Sequence, residues 1–366
     1  MTEEGYMRLA IELAKKGCGY VNPNPMVGAV IVKDGHIIGQ GYHTCCGKLH
    51  AEREALASCS ESTEGADIYV TLEPCCHHGK QPPCTDAIIE SGIKRVVIGS
   101  ADPNPLVAGK GVRILKEHGV SVTENFLKDE CDAINDVFFH YIKTGLPYVV
   151  MKYAMTMDGK TATYTGESKW ITGEAARRRV HEDRNRYAAI MVGIGTVLKD
   201  DPMLNCRIEG GKDPVRVICD TDLRIPLTSK IVETASDIRT LIATSSGDRE
   251  RISALESAGC EIIKVSPDNG HISLKELMTE LGRMKLDSVL MEGGGTLSWS
   301  ALSSGVVNKV QAYVAPKIFG GKDAPSPVGG AGAALPAEGI ALSRPEITVI
   351  GDDILIESEV LGCSQE

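Results

Sequence analysis

His50-Ala51-Glu52, followed by Glu73-Pro74-Cys75-Cys76-His77-His78 and then Pro82-Pro83-Cys84, is the stretch that decides how this chain is read. It offers one imidazole, two well-separated thiols and a carboxylate. His50, Cys75 and Cys84 can hold Zn²⁺ with three ligands and leave the fourth tetrahedral position to water, whereas a structural zinc site is closed. Glu52 can then stay off the metal and carry a proton beside that water. On an ideal helix, residues two apart diverge, so His50 and Glu52 converge only where a helix is just beginning. Cys84 follows Pro83 at a predicted helix start, where the helix dipole favours thiolate. Cys76, His77 and His78 are competing donors beside Cys75, so the residues alone leave the ligand set open. A tetrahedral centre is seldom reached by two adjacent residues, which disfavours a Cys75–Cys76 pair. Cys45 and Cys46 read as buried thiols.

The rest of the chain sets the context for this cluster. A length of 366 residues exceeds one ordinary core and predicts two domains. Apolar residues make up 42% and charged residues 24%, which places the chain among globular proteins and not among disordered ones. No apolar run approaches the roughly 20 residues that span a bilayer. The start, Met1-Thr2-Glu3-Glu4, lacks the basic and apolar blocks of a signal peptide, so a cytoplasmic location is expected. The 12 cysteines show no regular spacing and read as reduced thiols, some of them ligands. A formal net charge of −10 argues against broad nucleic-acid binding, which needs a basic surface. An anionic small molecule would need local Arg and Lys side chains to override that field.

The pattern of apolar runs and turns predicts an α/β organisation. Val27 to Lys33 and His36 to Gly41 flank Asp34-Gly35, a hairpin signal. A helix over 50–58, a strand over 67–72, a helix over 84–90, a strand over 95–99 and a helix over 111–118 follow. One helical stretch, 128–143, ends at Gly145 with Pro147 beyond it, a helix stop. The boundary is set there, giving domains 1–145 and 146–366. The second series has strands over 148–155, 188–192, 215–220, 240–244, 261–265 and 288–291, with helices over 174–186, 249–258 and 274–284. Two further strands are expected over 309–314 and 347–357, separated by a mobile Gly/Ala/Pro-rich loop over 319–337.

The pattern H-x-E with two downstream cysteines is the signature of zinc-dependent nucleobase deaminases. Here eight residues, Cys76 to Pro83, separate the cysteines, where the nucleic-acid editors have two. Further motifs narrow the match. Pro23-Asn24-Pro25-Met26-Val27-Gly28, Gly41-Tyr42-His43 with His50-Ala51-Glu52, the long loop Glu73 to Gly79 closing at Pro82-Pro83-Cys84, Asp102-Pro103-Asn104-Pro105 and Gly109-Lys110-Gly111 resemble bacterial bifunctional riboflavin biosynthesis proteins. Cys76 stands where serine is expected and Gln81 where threonine is expected. The resemblance covers nearly the whole chain. It implies a cytidine-deaminase-like three-layer α/β/α domain that deaminates a diaminopyrimidinone carrying a phosphoribosylamino group. It also implies His50, Cys75 and Cys84 as zinc ligands, Glu52 as proton shuttle, and Asn24 and His43 as substrate contacts.

In the second domain, Met151 to Lys160 and Met291-Glu292-Gly293-Gly294-Gly295-Thr296-Leu297 each leave a strand. A Gly-Gly-Gly turn before a helix lets backbone N–H groups approach a phosphate, a weak signal by itself. These segments, with Asp200 to Leu204 and Leu223 to Pro226, resemble the reductase half of the same family, a dihydrofolate-reductase-like α/β domain. That implies NADPH and reduction of the ribosyl chain to ribityl. It further implies Ala154, Trp170, Thr196, Asp200, Gly294, Gly295, Thr296 and Leu297 as cofactor contacts. Ser168, Arg184, Leu204, Arg207 and Glu292 are implied as substrate contacts, with Lys152 near the sugar and self-association of the chain. Chemically, Arg184 and Arg207 suit a phosphate, although the residues alone favour reading Arg184, in its charged helix, as part of a solvated face. Two rivals are a nucleic-acid base deaminase, which needs a basic groove, and a zinc-stabilised binding module, which has no use for Glu52.

Overall fold

The computed structural model describes residues 1–78 and 81–362; Gly79 of the long loop lies outside them. The chain divides into two compact units, Met1–Gly145 and Leu146–Glu366. The first contains α1 (Glu3–Lys15), β1 (Gly28–Lys33), β2 (His36–Tyr42), α2 (Ala51–Ala57), β3 (Asp67–Leu72), α3 (Cys84–Glu90), β4 (Arg95–Ser100), α4 (Lys110–Glu117), β5 (Ser121–Thr123), α5 (Lys128–Asp132) and α6 (Asp136–Thr144). Among the described residues its sheet runs in the order β2-β1-β3-β4-β5, with β1 antiparallel to both neighbours and β3, β4 and β5 parallel.

Successive side chains of a strand face opposite sides, and this alternation builds three layers. Ala29, Ile31, Ile68, Val70, Val96 and Ile98 pack with Ala51, Ala55 and Ile88 of α2 and α3. Val30, Val32, Tyr69 and Val97 pack against α1 on the other side. Gly28 shows how tight the second contact is. A Cβ there would lie 1.9 Å from the Ala10 carbonyl oxygen, so only glycine lets β1 start against α1. The Asp34-Gly35 turn has φ of 47° and 80°, as a two-residue hairpin of this hand requires.

The expected single helix over 128–143 is two helices. The break falls at Ala133–Asn135, because the buried Asn135 side chain is used elsewhere. Its Oδ1 accepts from Met26 N–H at 2.8 Å and its Nδ2 donates to Met26 C=O at 2.9 Å. Asn135 thereby fixes the loop that carries Asn24.

The second unit contains β6 (Tyr148–Thr156), α7 (Glu174–Arg186), β7 (Ala189–Gly193), α8 (Ile194–Asp200), β8 (Val215–Cys219), α9 (Lys230–Glu233), β9 (Thr240–Thr244), α10 (Arg249–Ser257), β10 (Glu261–Lys264), the short pair β11 (Pro267–Asp268) and β12 (His271–Ile272), α11 (Leu274–Arg283), β13 (Ser288–Met291), α12 (Gly295–Ser303), β14 (Lys309–Ala315), β15 (Glu346–Ile350) and β16 (Asp353–Glu359). Among the described residues the large sheet has the order β10-β9-β8-β7-β13-β6-β14-β16-β15. Its β10-to-β14 portion is parallel and apolar on both faces, as covered parallel strands must be. The expected strand over 347–357 is instead a hairpin, β15–β16, turned at Gly351, whose φ is 62°. The 319–337 loop is pinned at its middle. Thr161 N–H donates to Pro325 C=O and Gly329 N–H donates to Gly295 C=O, at 2.9 and 3.0 Å.

Replacing Asn135 with Ala leaves two half-buried Met26 backbone groups without their Asn135 partner, and we expect it to cost about 2 kcal/mol. A urea or thermal melt of the variant measures this. A loss under about 0.5 kcal/mol would show that water satisfies Met26 instead.

Candidate active sites

In the first unit, the site forms where β3 ends and two helices begin. His50 is the residue before α2, in extended conformation (φ −76°, ψ 161°), and Glu52 is the second residue of that helix. This is the helix-start geometry that lets the pair converge. Cys84 opens α3 after Pro83, and its N–H donates to Cys75 Sγ at 3.4 Å. His50 Nδ1 lies 3.4 Å from both Cys75 Sγ and Cys84 Sγ, and the three donor atoms lie within 4.8 Å of one another. Zinc bonds of about 2.0–2.3 Å at tetrahedral angles put N and S donors about 3.5 Å apart. The donor set and its spacing therefore fit zinc. Among the described residues no cluster of metal-binding donors includes Cys76, His77 or His78. Cys45 is exposed and Cys46 half-buried, a correction to the expectation of buried thiols.

Burial and the Cys75 sulfur push the Glu52 carboxyl up to about 7, against a smaller opposing pull from His50. The Cys84 thiol donates to Cys75, which holds Cys75 well below the usual thiol range and Cys84 above it. The cluster thus already favours a thiolate. Beside it, His43 is 3% exposed, and burial, partly offset by the Leu49 carbonyl, lowers its pKa. Its Nδ1 lies 2.9 Å from Leu49 C=O and its Nε2 lies 3.1 Å from Asn24 Nδ2. A carbonyl can only accept and an amide NH₂ can only donate, so the network assigns a neutral imidazole protonated at Nδ1. Asn24, His43, His50, Glu52 and Cys75 all line one cavity of about 360 Å³.

Three more residues matter here that the sequence reading left without a role. Asp102 and Asn104 line the same cavity, and Asp102 accepts from Asn104 N–H at 2.8 Å. Burial, partly offset by that bond, raises Asp102 to about 6. Glu73 borders the cavity as well, but its carboxylate is engaged by backbone. It is 4% exposed and accepts from Gly109 and Val112 N–H, tying the cysteine loop to the start of α4. The signal was present, since Glu73 and Gly109-Lys110-Gly111 belong to the quoted motifs, but their pairing spans 36 residues.

In the second unit, two cavities meet. One, of about 680 Å³, is lined by Lys152, Ala154, Ser168, Trp170, Arg184, Arg207 and Glu292 among others. The other, of about 470 Å³, is lined by Lys152, Ser168, Thr196, Asp200, Glu292 and the run Gly294-Gly295-Thr296-Leu297. Ala154 and Trp170, expected on the cofactor, thus border the first cavity. Lys152, Ser168 and Glu292 border both. Leu204 borders neither; it packs in the apolar core with Ile190, Val192 and Ile218.

The Gly-rich turn suits a phosphate-bearing cofactor. Gly294 precedes α12 with no side-chain cap, so the first N–H groups of the helix face the cavity unsatisfied by a side chain. A Cβ on Gly295 would come within 2.9 Å of Gly329 N.

Arg184 lines the first cavity, as expected of a substrate contact, but most of its donors are already engaged. It is neither a solvated-face residue nor a ready phosphate clamp, being only 13% exposed. Its Nε and Nη2 donate to Glu292 at 2.8 and 3.1 Å, and its Nη1 donates to Asn205 C=O at 2.9 Å. Lys152 Nζ lies 3.5 Å from the same carboxylate. Burial alone would push Glu292 up, but the charges of Arg184 and Lys152 overcome it and hold the carboxyl at about 2. Arg207 is exposed, anchored at 3.2 Å to Asn205, and remains suited to an anion.

Comparison with known proteins agrees with this two-site arrangement. Residues 1–100 match the cytidine and deoxycytidylate deaminase zinc-binding region, and residues 147–356 match the RibD C-terminal domain. The chain is 54% identical to the riboflavin biosynthesis protein RibD of Actinobacillus pleuropneumoniae, over 99% of this chain and 96% of that one. It is 43% identical to RibD of Bacillus amyloliquefaciens over 96% and 95% of the two chains. A solved structure of Acinetobacter baumannii RibD superposes with a TM-score of 0.87 at 38% identity, covering 98% of both chains. The Thermotoga maritima diaminohydroxyphosphoribosylaminopyrimidine deaminase/5-amino-6-(5-phosphoribosylamino)uracil reductase superposes at 0.85 with 42% identity, again over 98% of both. The first unit is cytidine-deaminase-like and the second dihydrofolate-reductase-like. With both halves matched in order and along almost their whole length, the chain belongs to the RibD family of riboflavin biosynthesis proteins.

Proposed function

We propose that the chain carries out two consecutive steps of riboflavin biosynthesis. The first unit hydrolyses an exocyclic amine of 2,5-diamino-6-(5-phosphoribosylamino)pyrimidin-4(3H)-one. The second reduces the ribosyl chain of the product to ribityl with NADPH. The observation that carries this reading is the convergence of His50, Cys75 and Cys84 beside Glu52 in a cavity of ring size. The net charge of −10 supports a small-molecule substrate over a nucleic acid.

His50, Cys75 and Cys84 would hold zinc, which supplies Lewis-acid activation of water near neutral pH. Glu52 is suited to take up a proton at its carboxylate and deliver it to the ring nitrogen and then to the leaving amine. Its burial keeps bulk water from competing for that proton. Asn24, oriented by neutral His43, can present an amide to the pyrimidinone edge.

In the second unit, Gly294 to Leu297 with Thr196 and Asp200 would hold NADPH, which supplies the hydride. Lys152 stands at the junction of the two cavities, where it can orient the sugar and stabilise charge developing on its oxygen. Glu292 holds Lys152 in place and is itself held by Arg184. Arg207 is suited to the phosphate, with Ser168 at the junction and Trp170 and Ala154 along the wall.

Incubating the protein with the diaminopyrimidinone phosphoriboside, with and without NADPH, tests the whole reading. Ammonia release, loss of nicotinamide absorbance and product mass are followed together. We expect ammonia without NADPH and the ribityl product only with it.

Glu52→Gln should keep bound zinc, measured by metal analysis, and lower ammonia release at least about 100-fold. Turnover at the wild-type rate would exclude Glu52 as the shuttle. Lys152→Ala should impair reduction while ammonia release stays intact; loss of both would mean that the two activities do not separate as proposed.

Glu292 also makes stability depend on pH. Its carboxyl is held below the ordinary value of 4.5, at about 2. Ionised Glu292 therefore stabilises the folded unit fully above about 4.5, and the contribution disappears as pH falls through about 2. Glu292→Gln should be less stable by about 3 kcal/mol near neutrality and at about pH 5, with the gap closing only in stronger acid. Calorimetry of both proteins across that range measures it; a gap that closes already at about pH 6 would contradict the ion pair.

A further inference from the structure

Lys152 has a second neighbour besides Glu292. β6 and β14 are adjacent and parallel, with Lys152 opposite Gln311 and Ala154 opposite Tyr313. Residues two apart on a strand share a face, so Lys152 and Tyr313 are diagonal neighbours on one surface of the sheet. Lys152 Nζ lies over the Tyr313 ring, 5.8 Å from its centroid. That is within the range at which an ammonium is attracted to an aromatic face, and the attraction strengthens where water is excluded. Tyr313 is 1% exposed, and it borders neither of the two reductase cavities.

The ring is itself held. Its hydroxyl donates to Asp183 Oδ2 at 3.3 Å, and Asp183 is 2% exposed. Arg179 Nε lies 3.5 Å from the other oxygen of the same carboxylate. Asp183 immediately precedes Arg184 on α7. One turn of that helix therefore restrains Glu292 and Tyr313, with Arg184 gripping the first and Asp183 the second. Glu292 alone would leave the long lysine side chain free to swing about a single anchor. A carboxylate on one side and an aromatic face on the other fix its direction.

We propose that Tyr313 is a positioning residue for reduction: its ring face aims the Lys152 ammonium at the junction of the two cavities. This rests on the assignment of Lys152 to the reductase site made above. Tyr313 acts through Lys152 and does not touch the reactants.

The test varies the electron density of the ring while keeping its shape. Tyr313→Phe keeps the aromatic face, site-specific incorporation of trifluorophenylalanine at 313 removes most of its negative potential, and Tyr313→Leu removes the ring. Each is measured by single-turnover hydride transfer, by KM for the deaminated substrate and by NADPH affinity from fluorescence. Deamination by the same protein and a thermal melt report folding. We expect Phe to stay within about threefold of wild type, and the fluorinated and Leu variants to lose about tenfold in hydride transfer with KM and NADPH affinity little changed. In a Lys152→Met background the 313 substitutions should have no further effect.

Equal rates for the Phe and fluorinated variants would overturn the proposal, because the ring would then only fill space. So would a loss confined to KM. If Leu fails to fold, the comparison of Phe with the fluorinated ring decides. A Lys152→Met protein that reduces at the wild-type rate would instead overturn the assignment of Lys152, a result distinct from failure of Tyr313 alone.

Discussion

The open start of a helix is the constraint on which both sites depend. The first N–H groups of a helix have no partner within it and must meet an acceptor. At α3 the acceptor is Cys75, whose carbonyl receives the Cys84 and Thr85 N–H groups and whose sulfur shares the Cys84 N–H. At α4 it is Glu73, which receives Gly109 and Val112 and so braces the loop on which Cys75 stands. At α12 the N-terminus faces the cavity assigned to the cofactor and has no side-chain cap. Each of these helices follows a strand in the α/β alternation of its unit. The same topology therefore delivers a thiolate-favouring field in one unit and a phosphate-favouring field in the other.

What could be read from sequence follows from how far apart the interacting residues lie. His50 and Glu52 are two residues apart at a helix boundary, so their convergence was legible. So was Cys84, because Pro83 marks the start of its helix. The hairpin at Asp34-Gly35 and the stop at Gly145 are set by local backbone preference and were legible for that reason. Arg184 was not. Its local context is a run of charges, and its partner Glu292 lies 108 residues away. The break between α5 and α6 was hidden in the same way, since Asn135 serves Met26 across 109 residues. A helical periodicity cannot report that one of its members is needed elsewhere. The β15–β16 turn was missed because the residues on both sides of Gly351 are equally strand-like.

The two sites use charge in opposite ways. The deaminase cavity keeps its groups near neutrality by burial: His43 lowered, Glu52 and Asp102 raised. The reductase junction does the reverse. The Glu292 carboxyl is held at about 2 by the Arg184 and Lys152 side chains that lie on it. A hydride acceptor needs a fixed field more than a proton store. Asp183 lies near that junction yet is pushed up to about 6, mainly by burial and against the pull of Arg179.

Lys152, Ser168 and Glu292 form a wall common to both reductase cavities. Whatever settles on one side of that wall removes water from groups that also face the other side. The two occupancies are then a single linked equilibrium: if the nicotinamide carrier tightens the sugar phosphate by some factor, the sugar phosphate tightens the carrier by the same factor. The partition between the cavities is thus the part of the fold through which the two guests depend on each other.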